Sequence, residues 1–267
     1  MKLDERSKAL RRVIVRMIEI DRRGHIGSAL SLVEILRVLY DSFLIYRTTE
    51  PNWFDRDRFI LSKGHGCLAL YAILADKGFF PSKILDGFCK PNGALGGHPA
   101  FTREFGIEAS TGALGHGLSI GVGIALASKI KKQNYRVVVV VGDGEINEGS
   151  VWEAAMSASK HQLSALTVFV DYNKLQSYGT TREVLDLEPL ADKWRSFGFE
   201  VQEVDGHDVP ALETLVKRLP LNPHKPTAII CHTVKGKGFP FAEGKAEWHH
   251  KSGLTSNDIA AMYDCLN

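Results

Sequence analysis

The sequence predicts an α/β fold: a mainly parallel sheet with helices on both faces. Three observations carry this. Apolar β-branched runs recur, the clearest being Arg136-Val137-Val138-Val139-Val140-Val141, which reads as a strand buried on both sides. Segments with helical character alternate with these runs. After the valine run the chain makes a tight turn, Gly142-Asp143-Gly144, and then enters a helix, so the local order is strand, glycine turn, helix.

In chain order, Leu10, Val13, Ile14 and Met17 follow the i, i+3, i+4, i+7 spacing of an amphipathic helix. Ser31-Leu32-Val33-Glu34 has the capping-box pattern and predicts a helix through about Tyr40. Phe59-Ile60-Leu61 predicts a short strand. Between Gly112 and Lys132 lies a helix rich in Gly and Ala, suited to close packing against a neighbour. Strands are expected near 136–141, 165–171, 199–204 and 227–232, with helices near 150–161, 188–196 and 209–218. Ser150-Val151-Trp152-Glu153 is a second capping-box pattern. With no internal repeat, low-complexity stretch or long linker, residues 1–267 are expected to form a single domain.

Length and a net charge of +2 suit one α/β domain with a substantial core, and give no support for a nucleic-acid or membrane surface. Cys67, Cys89, Cys231 and Cys265 are scattered, which argues against a structural zinc site or a disulfide framework. The start, Met1-Lys2-Leu3-Asp4-Glu5-Arg6, has no apolar signal core, and no apolar run of about 18 residues occurs elsewhere. A cytoplasmic setting is the expectation.

The turn Gly142-Asp143-Gly144 carries chemistry. Glycines let backbone approach a ligand, and a helix N-terminus favours an anion. A carboxylate repels an anion, so Asp143 makes sense if a hard cation sits between it and a phosphate. Asn173 follows Asp143 by 30 residues, one strand–helix–strand repeat, so both can lie at the carboxyl ends of adjacent parallel strands. An Asp, an Asn carbonyl, a backbone carbonyl and two phosphate oxygens would suit octahedral Mg²⁺. Four more motifs set a histidine or open backbone beside glycine: Gly24-His25-Ile26-Gly27-Ser28, Leu61-Ser62-Lys63-Gly64-His65-Gly66, Gly96-Gly97-His98-Pro99, and Ser110-Thr111-Gly112-Ala113-Leu114-Gly115-His116.

At these residues the chain resembles the thiamine-diphosphate enzymes, and as an ordered set the motifs resemble their transketolase branch, from about Arg11 to about Gly253. The resemblance implies a thiamine-diphosphate-binding fold and the diphosphate-binding domain, the first of three in a full-length transketolase. By this resemblance Asp143, Asn173 and the carbonyl of Leu175 hold Mg²⁺, with Ca²⁺ or Mn²⁺ able to substitute. Gly144 and His65 meet the cofactor diphosphate, Asn173 contributes there too, and Gly112, Ala113 and Leu114 face the thiamine, although Pro usually stands where Ala113 does. His25 and His98 reach the substrate hydroxyls, and His249, or its neighbour His250, bridges cofactor and substrate. Glu148 matches an acidic residue at a subunit interface.

The function so implied is transfer of a two-carbon ketol unit from a ketose phosphate to an aldose. The glutamate that activates the cofactor belongs to the next domain in this family. The expectation is therefore a split enzyme whose C-terminal subunit carries the pyrimidine-binding domain, in an α₂β₂ assembly, with the chain inactive alone. An exposed apolar surface near Gly117 to Ala127 is expected too. Three other readings stay open: the α subunit of a 2-oxo acid dehydrogenase, a deoxyxylulose-phosphate-synthase-like enzyme, and a cofactor-binding subunit of structural value only. Glu145 and Glu153 read as helix-start charges or a cap, His207 as surface or core, and Lys235-Gly236-Lys237-Gly238 as a mobile loop over the site.

Overall fold

The computed structural model describes residues 3–267. Its centre is a five-stranded sheet built from β2 (Arg58–Leu61), β3 (Val137–Gly142), β4 (Leu166–Tyr172), β5 (Glu200–Asp205) and β6 (Thr227–His232). The strand order is β2-β3-β4-β6-β5, and every pairing is parallel. A separate two-residue ribbon pairs β1 (Arg23–Gly24) with β7 (Lys251–Ser252), antiparallel.

The valine run shows why helices cover both faces. Side chains alternate along a strand, so Val138 and Val140 enter one core while Val137, Val139 and Val141 enter the other. The first core takes α1 (Glu5–Asp21), α2 (Ile26–Leu30), α3 (Val33–Val38), α4 (Cys67–Asp76), α9 (Val209–Val216) and α10 (Ser256–Asp264). The second takes α5 (Gly117–Ile130), α6 (Gly149–Lys160) and α8 (Leu190–Ser196). One turn of helix, α7 (Thr181–Val184), closes the chain after β4 with a capping box from Thr180 and Glu183.

The small residues of α5 do bring it close to the sheet. A Cβ on Gly121 would stand 2.5 Å from the Val139 side chain, so only glycine allows this approach. The opposite face of α5 leaves Ile120 38% and Ile130 72% exposed, in and beyond the expected apolar stretch.

Neither predicted capping box forms. Ser31 Oγ donates instead to the buried Asp171 carboxylate and to Ser28 O, while Glu34 accepts from both terminal guanidinium nitrogens of the buried Arg11. The helix starts at Val33 without a side-chain cap and runs on through a π-helical turn, Leu39–Phe43. Ser150 donates to Gly115 O, and α6 begins one residue earlier, at Gly149. Tertiary acceptors outcompete a local cap, because leaving a buried acceptor unpaired costs more than a cap contributes.

Candidate active site

Parallel strands all end on one edge, and the site is assembled there. The C-termini of β2, β3, β4 and β6 deliver Ser62 and Lys63, Asp143, Asn173, and Lys235 respectively. They border a cavity of about 720 Å³, counting space open to solvent, also lined by His25, His65, His98, Gly112, Leu114, Gly144 and His249. Of the residues expected in the site, only Ala113 does not line it, being exposed between Gly112 and Leu114. Gly112 has φ +140, and a Cβ there would meet the His98 ring at 2.9 Å, so backbone and imidazole share a space that no other residue leaves open.

The histidines converge. The His25 ring centroid lies 5.4 Å from His65, 5.7 Å from His98, 5.4 Å from His249 and 4.7 Å from His250. Between the two neighbours the geometry is decisive: His249 lines the main cavity, with Nε2 3.2 Å from Ser177 Oγ, whereas His250 lines the adjoining pocket with Arg23 and Cys89.

Burial, followed by the nearby His250, His98 and Lys235, pushes the His25 pKa down to about 4. Burial and Lys235 push that of His249 down to about 3, and burial lowers His65 and His98 as well. These rings are therefore neutral at pH 7, each with one donor and one acceptor nitrogen. The unfolded chain takes up their protons near the ordinary value of 6.5, and the folded chain refuses them until about 4 for His25. Stability should thus fall as pH drops from 6.5 toward 4. Melting temperature against pH checks this, with a shallower slope expected for His25→Asn.

The acidic side of the cavity has its own order. Asp143 accepts from Gly144 N at 2.8 Å and from Lys174 N. Burial and the charge of Asp171 push its pKa up to about 6. Burial alone would also raise Asp171, but Lys63, Ser31 and Thr233 hold it below its ordinary value. Asp143 and Asp171 are both buried in this corner, and the buried Lys63 pairs with Asp171, which leaves Asp143 in need of a further cation. Lys235 supplies part of it: its ammonium donates to Leu175 O at 2.6 Å. Burial, then repulsion from Lys63, brings the Lys235 pKa down to about 8.

The donor set fits a hard metal ion. Asp143 carboxylate, Asn173 Oδ1 and Leu175 O are oxygens at adjacent strand ends, and Asn173 is oriented by accepting from Leu175 N at 3.1 Å. Among the described residues no three His, Cys, Asp or Glu converge on a metal position. Such a site needs oxygens from a ligand, as a diphosphate would provide. The cavity also holds polar atoms with no partner, Ser28 Oγ, Gln176 Nε2 and His249 Nδ1, as a site shaped for a polar ligand would.

A family model described as transketolase, thiamine diphosphate binding domain, matches residues 4–266. The chain belongs to the transketolase family. It is 44% identical over 227 residues to the 6-deoxy-6-sulfo-D-fructose transketolase subunit SqwG of a Clostridium species, covering 85% of this chain and 82% of that one. It is 41% identical over 248 residues to an apulose-4-phosphate transketolase subunit from Phocaeicola vulgatus, covering 93% and 88%. The solved transketolase of Leishmania mexicana superposes with a TM-score of 0.89 at 27% identity over all of this chain. This transketolase domain spans 42% of that longer chain. Among the described residues no helix is long and apolar enough to cross a membrane.

Several residues of this transketolase domain escaped the motif reading. Lys63 stands inside the Leu61–Gly66 motif with no role of its own expected there, and Asp171 stands two residues before Asn173. Lys235 belongs to the loop expected to be mobile, yet it is 2% exposed. The loop is pinned: Gly236 N donates to Gly27 O at 3.0 Å, and Arg11 Nε to Lys237 O at 2.9 Å. His207 is buried too, its Nδ1 2.8 Å from Glu34 Oε2 and its Nε2 accepting from Val234 N. The signal available in the sequence was position, since Lys235 comes just after a strand on the edge where ligands bind.

Proposed function

We propose that residues 1–267 form one domain, the diphosphate-binding subunit of a two-chain transketolase, which moves a two-carbon ketol unit from a ketose phosphate, or a similarly anionic ketose, to an aldose. The observation that carries this reading is the convergence of four histidines, His25, His65, His98 and His249, beside the Asp143/Asn173/Leu175 oxygens in one cavity. A metal and diphosphate cradle alone would suit many cofactor enzymes; the imidazole cluster suits a polyhydroxylated substrate. Both relatives described above are named as subunits of transketolases, with different anionic sugars in their names. That supports a partner subunit carrying the pyrimidine-binding half, in an α₂β₂ assembly. Exposed Glu148 and the outer face of α5 are the surfaces suited to it. No observation favours the oxo acid dehydrogenase, the deoxyxylulose-phosphate-synthase-like or the purely structural reading.

In this reading Asp143, Asn173 and Leu175 O hold Mg²⁺, and Gly144 and His65 meet the diphosphate. Gly112 and Leu114 face the thiamine, with Ala113 shaping the loop between them. Thiamine diphosphate, when bound, supplies the nucleophilic carbon and the electron sink for carbon–carbon cleavage. The protein's part is positioning and proton handling. Neutral His25 and His98 hold ketose hydroxyls by donating from one ring nitrogen and accepting at the other. An accepting nitrogen can take the proton of the hydroxyl whose carbon becomes the aldehyde, and return it when the acceptor is joined. His249, with Nε2 near Ser177 Oγ, would bridge the cofactor and the substrate.

His25→Ala and His98→Ala should each lower kcat/KM on the order of 10²-fold or more, with cofactor affinity nearly unchanged. Steady-state kinetics beside calorimetry in the assembled enzyme checks this. Equal loss of affinity and activity would place both rings at the diphosphate and overturn their substrate role.

A further inference from the structure

Glu145 has no role in the site described so far, yet its carboxylate joins the loops that build it. Its Oε1 accepts from the Ser62 hydroxyl and, at 3.0 Å, from Gly115 N–H; its Oε2 accepts from Gly142 N–H at 3.0 Å. Those donors belong to three different segments. Ser62 begins the loop that carries Lys63 and His65. Gly115 closes the Gly112–Leu114 loop, and Gly142 is the residue before Asp143. The side chain is 2% exposed, and these three partners are all neutral. It is therefore neither the helix-start charge nor the cap that its sequence position suggested.

A buried carboxylate is a costly way to fill space, and an apolar side chain of similar volume would hold a core more cheaply. Direction is what the carboxylate adds. Two oxygens accept from three donors at fixed angles, and backbone N–H groups cannot rotate away from them.

We propose that Glu145 is a positioning residue that sets the three cofactor-facing loops in register with one another. The inference rests on the reading of the cavity as the thiamine diphosphate site. Through Gly142 the carboxylate places the metal-binding Asp143; through Gly115 it places the loop against the thiamine; through Ser62 it places His65. Loops arriving separately would otherwise have to be ordered by the cofactor itself, and affinity would fall by that ordering cost.

The test is Glu145→Gln in the full chain assembled with its partner subunit. The carboxamide keeps the size but has one acceptor oxygen. Its NH₂ must face the Gly142 N–H in one rotamer or the Gly115 N–H in the other, donor against donor. Thiamine diphosphate affinity, measured by calorimetry in saturating Mg²⁺, is expected to fall roughly tenfold or more. The KM for the ketose donor should change less.

Val168→Ala, in the buried sheet and away from the cavity, gives the comparison for a loss of fold stability alone. An affinity loss in Glu145→Gln no greater than in Val168→Ala would overturn the proposal. Should Glu145→Gln fail to fold, Ser62→Ala removes one donor only. It should then lose affinity several-fold at a near-native melting temperature, and unchanged affinity would overturn the proposal in that case. Wild-type assembly that binds no thiamine diphosphate would overturn the reading of the cavity, and the inference with it.

Discussion

Residues 1–267 purified by themselves should show no ketol transfer when given Mg²⁺, thiamine diphosphate, a ketose phosphate and an aldose. The expected deficit against the assembled enzyme is on the order of 10³-fold or more, the scale lost with a proton-transfer group. The reason lies in which carboxylates the cavity holds. Its only glutamate among the described residues is Glu145, both of whose oxygens are engaged by Ser62, Gly115 and Gly142. Its aspartate, Asp143, belongs to the diphosphate side. Among the described residues no free carboxylate is left in the cavity to hydrogen-bond the cofactor's pyrimidine. Adding the chain that carries the pyrimidine-binding domain should restore turnover. Following product formation with and without that chain decides it, and brisk turnover by the isolated chain would refute the split-enzyme proposal.

Asp143→Ala should weaken thiamine diphosphate binding in the assembled enzyme by at least roughly 100-fold, more than is usual for losing a group that only supports a metal ligand. Asp143 is the one carboxylate among the three expected ligands; Asn173 and Leu175 O are neutral oxygens. Without it the corner keeps Asp171, but Lys63 already satisfies that carboxylate. The diphosphate would then face neutral donors, Lys235, and a Lys63 already paired with Asp171. Calorimetric titration with and without Mg²⁺ checks both parts. The wild type should lose affinity on chelation, and the variant should have little left to lose. Equal affinities of mutant and wild type in Mg²⁺ would remove Asp143 from the metal site.

The alternation of strands and helices, the two-sided burial of the valine run and the close packing of the small-residue helix were legible in the sequence. Each rests on a local property: side-chain period, β-branching, or the lack of a Cβ. The turn Gly142-Asp143-Gly144 and Asn173 were legible for a related reason. In a parallel sheet the strand ends share one edge, so a spacing of one strand–helix–strand repeat already implies proximity.

The partners of buried polar groups were decided by the tertiary structure alone. Ser31 and Ser150 had the spacing of helix caps, yet they bond Asp171 and Gly115. Glu145 read as a helix-start charge or a cap and is a buried link between three loops. Lys235 sat in a glycine-rich loop that read as mobile, and its ammonium lies on Leu175 O. His207 had no motif and stands against Glu34. A buried donor or acceptor takes whichever partner the fold brings within about 3 Å. Spacing along the chain holds no such distance once the partners lie on different strands and helices.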